Sequence, residues 1–307
     1  MDQPASFQTL CLSSTDEQFW VQMIYNARWP DGFCCPSCGN RHAYSILTRR
    51  LPLYECSSCH VQTSLTKGTI MEGSRTPLRL WLLAIHLHSQ PEGINALRLA
   101  SIIGTTYKTS WLICHKIRHA MSKSDESDLL KGLVRINFAQ YGTPYNPTIY
   151  RHPQEQPLLI GATINEQGEY AHIKIKQAVE ECSYSQFTCP LDKHPFIRKH
   201  VDSTAKEIIA VTLKYSKNRN RQLLQICNSA SNWINDLFMG IGPKHLQAYL
   251  DQYCYHFNRS VQNQQGLQHL LKICTSTATI IYPELIRKSN IKPKLRVQYA
   301  NYLKSVS

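Results

Sequence analysis

Long apolar runs are missing from this chain. The longest, "LWLLAIHL" at 80–87, is far shorter than the stretch a bilayer-spanning helix needs, so a helical membrane anchor is not expected. Acidic residues are also scarce, with 21 Asp and Glu against 34 Lys and Arg, a net charge of +13 and a pI near 9.2. That surplus favours an anionic partner, nucleic acid or a charged membrane surface, although it says nothing about fold. The opening "MDQPASFQTLCLSSTDEQ" lacks a basic start followed by an apolar run, so no secretory leader is expected. Twelve cysteines without a leader belong in a reducing compartment, and the expected location is cytoplasmic. Thiols there are ligands or buried groups more often than disulfides. Hydrophobic content of 42% with 18% charged residues excludes a disordered chain.

What is present begins with two Cys-x-x-Cys pairs, "CPSC" at 35–38 and "CSSC" at 56–59, separated by 17 residues. This doubled spacing matches a four-thiolate zinc site, each pair sitting on a tight turn that aims two sulfurs at one ion. Cys35, Cys38, Cys56 and Cys59 are the expected ligands, with Tyr44–Leu47 and Pro52–Glu55 as the arms of an intervening hairpin. Cys34 is read as a bystander, and His42 and His60 as spare groups beside a closed site. "CSSCH" is formally a haem-attachment pattern, but that leaves the first pair unexplained, and a redox pair at "CPSC" leaves the second unexplained. Cys11, Cys114, Cys182, Cys189, Cys227, Cys254 and Cys274 show no ligand spacing and are read as small apolar residues.

Downstream, Thr76 and Pro77 mark a helix start, and Leu80, Leu83, Ala84 and Leu87 fall at helical spacing. "GINALRLASIIG" gives a short helix ended by Gly104, and "TTYKTSWLICHKIRHAM" opens a third. A tight turn between the last two has helix-turn-helix proportions. In that motif the start of the second helix meets base edges. Thr106, Tyr107, Lys108 and Thr109 are therefore the expected readers, with Lys116 and Arg118 placed for phosphates. The competing reading is a helical bundle with a solvated basic face.

After the hydrophilic "SKSDESD" at 122–128 the period changes. Val134–Phe138, Leu158–Ile164 and Tyr170–Lys176 read as strands, "NEQG" as a hairpin turn, "HPFIRKH" as a helix and 207–213 as a fourth, buried strand. Helices are expected from Gln222 to Phe238 and from Pro243 to Arg259, the latter packed through Leu246, Tyr249, Leu250, Tyr253 and Phe257. "KPKLRVQYANYLKS" near the C-terminus reads as a basic tail or a solvated end.

"RWPDGFCCPSCG", the stretch from "QTSLTKGTIMEG" through "CHKIRHAM", and "GPKHLQAYLDQYCYHFNR" together resemble insertion-sequence transposases of the fifteen-ninety-five family. The likeness runs from about residue 20 to 260. It implies a zinc ribbon and a helix-turn-helix joined to an RNase-H-like DDE domain that cuts and joins transposon ends with two metal ions held by acidic residues. It also puts the family's first Asp at Asn137 and its Glu at Phe138. The second Asp falls at Ala210, Val211 or Thr212, and the third position near Leu224. No acidic residue occurs from Leu129 through Gln154, nor between Glu207 and Asp236. Magnesium requires hard carboxylate oxygens, so no catalytic residue is expected there and Mg2+ only if the DDE site is intact.

The expected fold is α+β and multidomain: a helical lead-in at 1–25, a zinc ribbon at 26–70, a helix-turn-helix at 74–122, a degenerate RNase-H-like domain at 129–262, and a C-terminal helix with basic tail at 263–307. The expected function is binding of double-stranded, transposon-end-like DNA with a structural zinc and without cleavage. The alternatives are an active two-metal transposase with relocated acids, such as Asp192 or Asp202, and a non-catalytic assembly partner of an active enzyme. A homo-oligomer is compatible with each.

Overall fold

The structure is a computed structural model and describes residues 7–14, 16–142, 155–178, 190–262 and 266–287. Cys182, Cys189 and the basic tail lie outside the described residues. Two compact units are present, one within 1–124 and 263–285, the other within 125–262 and 286–307.

In the first unit, α1 (Phe7–Ser13) precedes α2 (Glu17–Arg28), which starts where the Asp16 carboxylate accepts the Gln18 and Phe19 N–H groups at 3.0 and 3.2 Å. A three-stranded antiparallel sheet follows: β1 (Ala43–Ile46), β2 (Leu53–Cys56) and β3 (Gln62–Ser64). One face of this sheet closes on α2 through Tyr25, Trp29, Phe33 and Tyr54, whose rings lie 5.1–5.8 Å apart in edge, tilted and stacked contacts. Arg28 reinforces the closure, its guanidinium donating to the carbonyls of Ser64, Leu65 and Lys67. An aromatic and a charged contact thus bind α2 to the ribbon.

Three helices come next: α3 (Leu78–Ser89), α4 (Ala96–Ile103) and α5 (Tyr107–Ser127). The cap of α3 is Pro77, with no side-chain hydrogen bond, rather than the expected Thr76. Eight of the twelve residues of α3 are buried, as befits the central helix of a unit. Between α4 and α5 the chain turns at Gly104, whose φ of 64° is the left-handed conformation that ends helices cheaply only at glycine. Late in the chain α9 (Gly266–Ser276) and α10 (Tyr282–Ile286) follow. Leu270, Leu271 and Cys274 of α9 are buried in this unit, and Ile70 N–H donates to the Cys274 carbonyl at 3.2 Å. Residues 263–285, expected within a C-terminal segment of their own, are therefore grouped with the first unit.

The second unit is built on a four-stranded sheet of order β6-β5-β4-β7, with β4 (Leu133–Tyr141), β5 (Gln156–Ile164), β6 (Tyr170–Gln177) and β7 (Glu207–Val211). The first three form an antiparallel meander, and β7 returns parallel to β4 after the helix α6 (His194–His200). Leu158, Ile160, Ala162, Ile173 and Ile175 bury one face against α7 (Arg221–Phe238) and α8 (Pro243–Val261). Val134, Ile136, Phe138 and Leu159 bury the other against Leu191, Phe196 and Val201. Gly161 is required on that side, because a Cβ there would stand 2.7 Å from the Phe196 ring.

Expected as buried, β7 is instead an edge strand, with Ile208 and Ile209 38% and 43% exposed. Its β-branched run satisfied a buried-strand pattern, but position in the sheet, not composition, sets burial.

The opposite edge, β6, is covered by a helix. From α8, the Asn258 amide accepts Ile173 N–H at 2.8 Å and donates to Ile173 C=O at 3.1 Å. Gln247 accepts Gln177 N–H at 2.7 Å and donates to Ile175 C=O at 3.0 Å, while the Cys254 sulfur takes the Ile175 N–H. Spacing of seven and four residues from 247 to 258 puts all three on one helical face. Side chains of α8 thus do for β6 what a neighbouring strand would do.

Candidate metal centre and nucleic-acid surface

The four cysteines of the sequence pattern converge: their sulfurs all lie within 4.8 Å of one another. Cys35 and Cys59 sulfurs are 3.6 Å apart, and those of Cys38 and Cys56 are 3.5 Å apart. A zinc tetrahedron with bonds of about 2.3 Å has edges of about 3.8 Å, whereas a disulfide needs about 2.05 Å. The cradle fits the ion and not a cross-link.

Local chain geometry explains the convergence. Each pair closes a turn in which the first cysteine's carbonyl accepts an N–H four residues on, from Gly39 and from His60, at 2.9 and 3.0 Å. Both donors have positive φ and follow directly after the second cysteine, Gly39 at 74° and His60 at 57°. Backbone N–H groups inside the turns point at sulfur. The N–H of Cys59 lowers the Cys56 thiol to about 6, and that of Cys38 lowers Cys35. Thiolate is the ligating form, so the turns favour it at the first cysteine of each pair, whereas the neighbouring Cys59 and Cys56 thiols push Cys38 up to about 12. Asn40 adds a second layer, its amide donating to Cys56 sulfur at 3.6 Å and to the Ser57 hydroxyl at 2.8 Å. Cys34 faces the Gly39 carbonyl outside the cluster, the bystander position expected for it. Five other thiols, Cys11, Cys114, Cys227, Cys254 and Cys274, are buried and raised by desolvation, which makes them packing groups.

The start of α5 presents a different surface. Thr106 caps the helix, its hydroxyl taking the Thr109 N–H at 3.3 Å and meeting the Thr109 hydroxyl at 3.0 Å. Tyr107 is 57% exposed and Lys108 is exposed beside it. Lys116 and Arg118 are placed otherwise than the sequence reading expected, only 7% and 1% exposed. The Lys116 ammonium is turned to the Glu72 carbonyl at 3.5 Å, and Arg118 meets the Cys114 thiol. Two positions apart on a helix they point to different sides, both sides are packed, and neither offers its charge to a phosphate.

In the second unit Asn137 is 2% exposed at the middle of β4, paired with Ile160 on one side and Val211 on the other. Its amide donates to the Asn220 carbonyl at 3.0 Å, and Asn220 in turn caps α7 by accepting Leu223 N–H at 3.1 Å. An amide and an alkyl chain occupy this strand pair. Among the described residues the cysteine quartet is the one group of three or more His, Cys, Asp or Glu side chains close enough to share an ion.

Sequence reasoning missed the polar residues beneath the sheet. Lys174, fully buried, lies 2.9 Å from Asp125, and Lys176 bridges Asp125 and Asp251 at 2.6 Å each. Burial opposes every one of these charges, yet the paired lysines hold Asp125 below the usual carboxylate range, and the two carboxylates hold Lys176 above its own. Nearby, burial and the two ammonium groups push His200 down to about 4. The visible signal was the alternation His172, Lys174, Lys176 in "AHIKIK", which reads as a solvent face. A second buried pair, Glu155 with Lys214 at 2.7 Å, lies at the ends of β5 and β7.

Residues 15–62 match the family model described as the transposase zinc-ribbon domain. The match begins ahead of α2, in keeping with the aromatic closure of that helix on the ribbon. No curated protein and no solved structure matches the chain. The metal centre is thus a structural Zn2+ site held by Cys35, Cys38, Cys56 and Cys59, and no described helix is long and apolar enough to cross a membrane.

Proposed function

We propose that this chain is a DNA-binding protein of the insertion-sequence transposase type that binds double-stranded, transposon-end-like DNA and does not cleave it. The observation that carries the proposal is the four-thiolate cradle within residues that match a transposase zinc ribbon. A net charge of +13 supports a polyanionic partner. The helices α3 to α5 act as a helix-turn-helix, with the first turn of α5 entering the major groove through Tyr107 and Lys108. Thr106 and Thr109 fix the start of that helix, and Lys116 and Arg118 serve packing.

The second unit is read as an RNase-H-like core. Its antiparallel meander with a fourth strand returning parallel beside the first supports that reading. In such a core a two-metal site needs carboxylates at the middle of the first strand and the end of the fourth. Asn137 and Val211, neighbours across β4 and β7, supply none, and the Asn137 amide is committed to the cap of α7. This unit then contributes scaffold and not strand transfer.

The test is made on the full chain. Duplexes enriched by the protein from a random pool are measured for binding, then incubated with Mg2+ or Mn2+ and scored for nicks. Binding without nicking is the expected result. Nicking that is abolished by an Asp or Glu substitution overturns the silent assignment, and failure to enrich any duplex overturns the DNA-binding one.

A further inference from the structure

In residues 277–285, about 170 positions after Lys108 in the chain, the ring of Tyr282 reaches the first turn of α5. The Lys108 ammonium stands 5.1 Å from the centre of the Tyr282 ring. That ring meets Trp111 edge-on, at 6.0 Å and 71°, and Trp111 is backed by His115 at 4.0 Å. The segment is held independently of these contacts. The Thr279 hydroxyl donates to the Ile70 carbonyl at 3.2 Å, Cys274 accepts the Ile70 N–H at 3.2 Å, and the Glu284 carboxylate takes the Ile281 N–H at 3.3 Å. Leu270, Leu271 and Cys274 bury the preceding helix.

We infer that Tyr282 is a positioning residue for DNA recognition: its ring fixes the Lys108 ammonium at the mouth of α5, so the C-terminal segment completes the reading surface. This rests on the DNA-binding function proposed above and adds a residue to it.

The chemistry is that of a flexible lysine on an aromatic platform. A free lysine stem samples many rotamers and gives up that freedom when it meets DNA. A ring face attracts the ammonium and holds it in place beforehand, and pre-ordering strengthens binding by lowering what is lost on association. Tyr282 itself is 37% exposed, so it reaches solvent without blocking the lysine. Glu284, also exposed on α10, has its carboxylate occupied at the Ile281 N–H.

The experiment is a double-mutant cycle on the full chain with the enriched duplex as probe. Tyr282→Leu removes the aromatic face, Tyr282→Phe keeps it, and Lys108→Ala removes the cation. Tyr282→Leu is expected to weaken binding about two- to fivefold, Tyr282→Phe to bind like the parent, and Tyr282→Leu to have no further effect in the Lys108→Ala background. A Tyr282→Leu protein that binds like the parent, or that loses the same factor whether or not Lys108 is present, overturns the inference while leaving DNA binding intact. Equal loss in the Leu and Phe variants assigns the effect to the hydroxyl or the fold and likewise overturns it. If the parent enriches no duplex, the DNA-binding function itself falls.

Discussion

Replacing Asn258 by leucine tests the helix-covered sheet edge most directly. The side chain is 6% exposed and serves both backbone groups of Ile173, at 2.8 and 3.1 Å. Leucine has nearly the same volume, so packing is spared and the loss is polar. Each buried backbone group left without a partner costs about 1–3 kcal/mol, which sets the range for the pair at about 2–6 kcal/mol. A domain of this size is stable by about 5–15 kcal/mol in total, so the variant is expected to fold with a loosened β6. Hydrogen exchange followed by mass spectrometry on the full chain reads this locally. The peptide spanning Tyr170–Gln177 should exchange at least about 30-fold faster, the equivalent of about 2 kcal/mol.

Asn258→Asp sharpens the test, since it keeps an acceptor for the Ile173 N–H but aims a second acceptor at the Ile173 carbonyl. Burial and that carbonyl raise the introduced carboxyl above its unfolded value. The folded state then binds its proton more tightly than the unfolded chain, so stability is greatest below about pH 4 and falls as pH rises through the raised folded value. Gln247→Leu is the control: Gln247 is half-buried, water can replace its amide, and the effect should be smaller. If Asn258→Leu exchanges within twofold of the parent, or Asn258→Asp shows no such pH slope, the α8 amide contacts do not hold the edge.

Three further outcomes follow from the same geometry. Cys35→Ser and Cys56→Ser should each abolish stoichiometric zinc in metal analysis and deprotect β1 to β3, because the cradle needs all four thiolates; retained zinc refutes the site. His200→Phe should flatten the acid limb of stability. The parent histidine is held neutral to about 4 from an ordinary 6.5 by burial, Lys176 and Lys174. Its contribution is therefore complete above pH 6.5 and lost as pH falls toward 4, on the order of 1 kcal/mol once partial screening is allowed for; an unchanged acid limb counts against it. Gly161→Ala should destabilise the second unit by about 1–3 kcal/mol through overpacking, with partial recovery on adding Phe196→Leu, since the new methyl would stand 2.7 Å from that ring; a neutral Gly161→Ala in thermal unfolding refutes the close approach.

The sequence by itself determined the metal centre and most element types. Cys-x-x-Cys spacing is a local property, and a turn of four residues aims its sulfurs whatever lies beyond it, so the ligand set was legible residue by residue. The meander of β4 to β6, α6 and the long helices α7 and α8 were legible for a like reason, since periodicity and caps act within one segment. Tertiary structure decided where charge and edges end up. Lys116 and Arg118 were expected at phosphates, and Lys174 and Lys176 only as members of a strand, yet all four are buried. Partners such as Glu72, Asp125 and Asp251, up to 75 residues away, settle that outcome, and no local pattern carries them. The same holds for β7, an edge because no described strand lies beyond it, and for Lys108, whose aromatic platform comes from the far end of the chain. Local geometry is written in neighbouring residues, whereas the cost of burying a charge depends on what the completed fold sets against it.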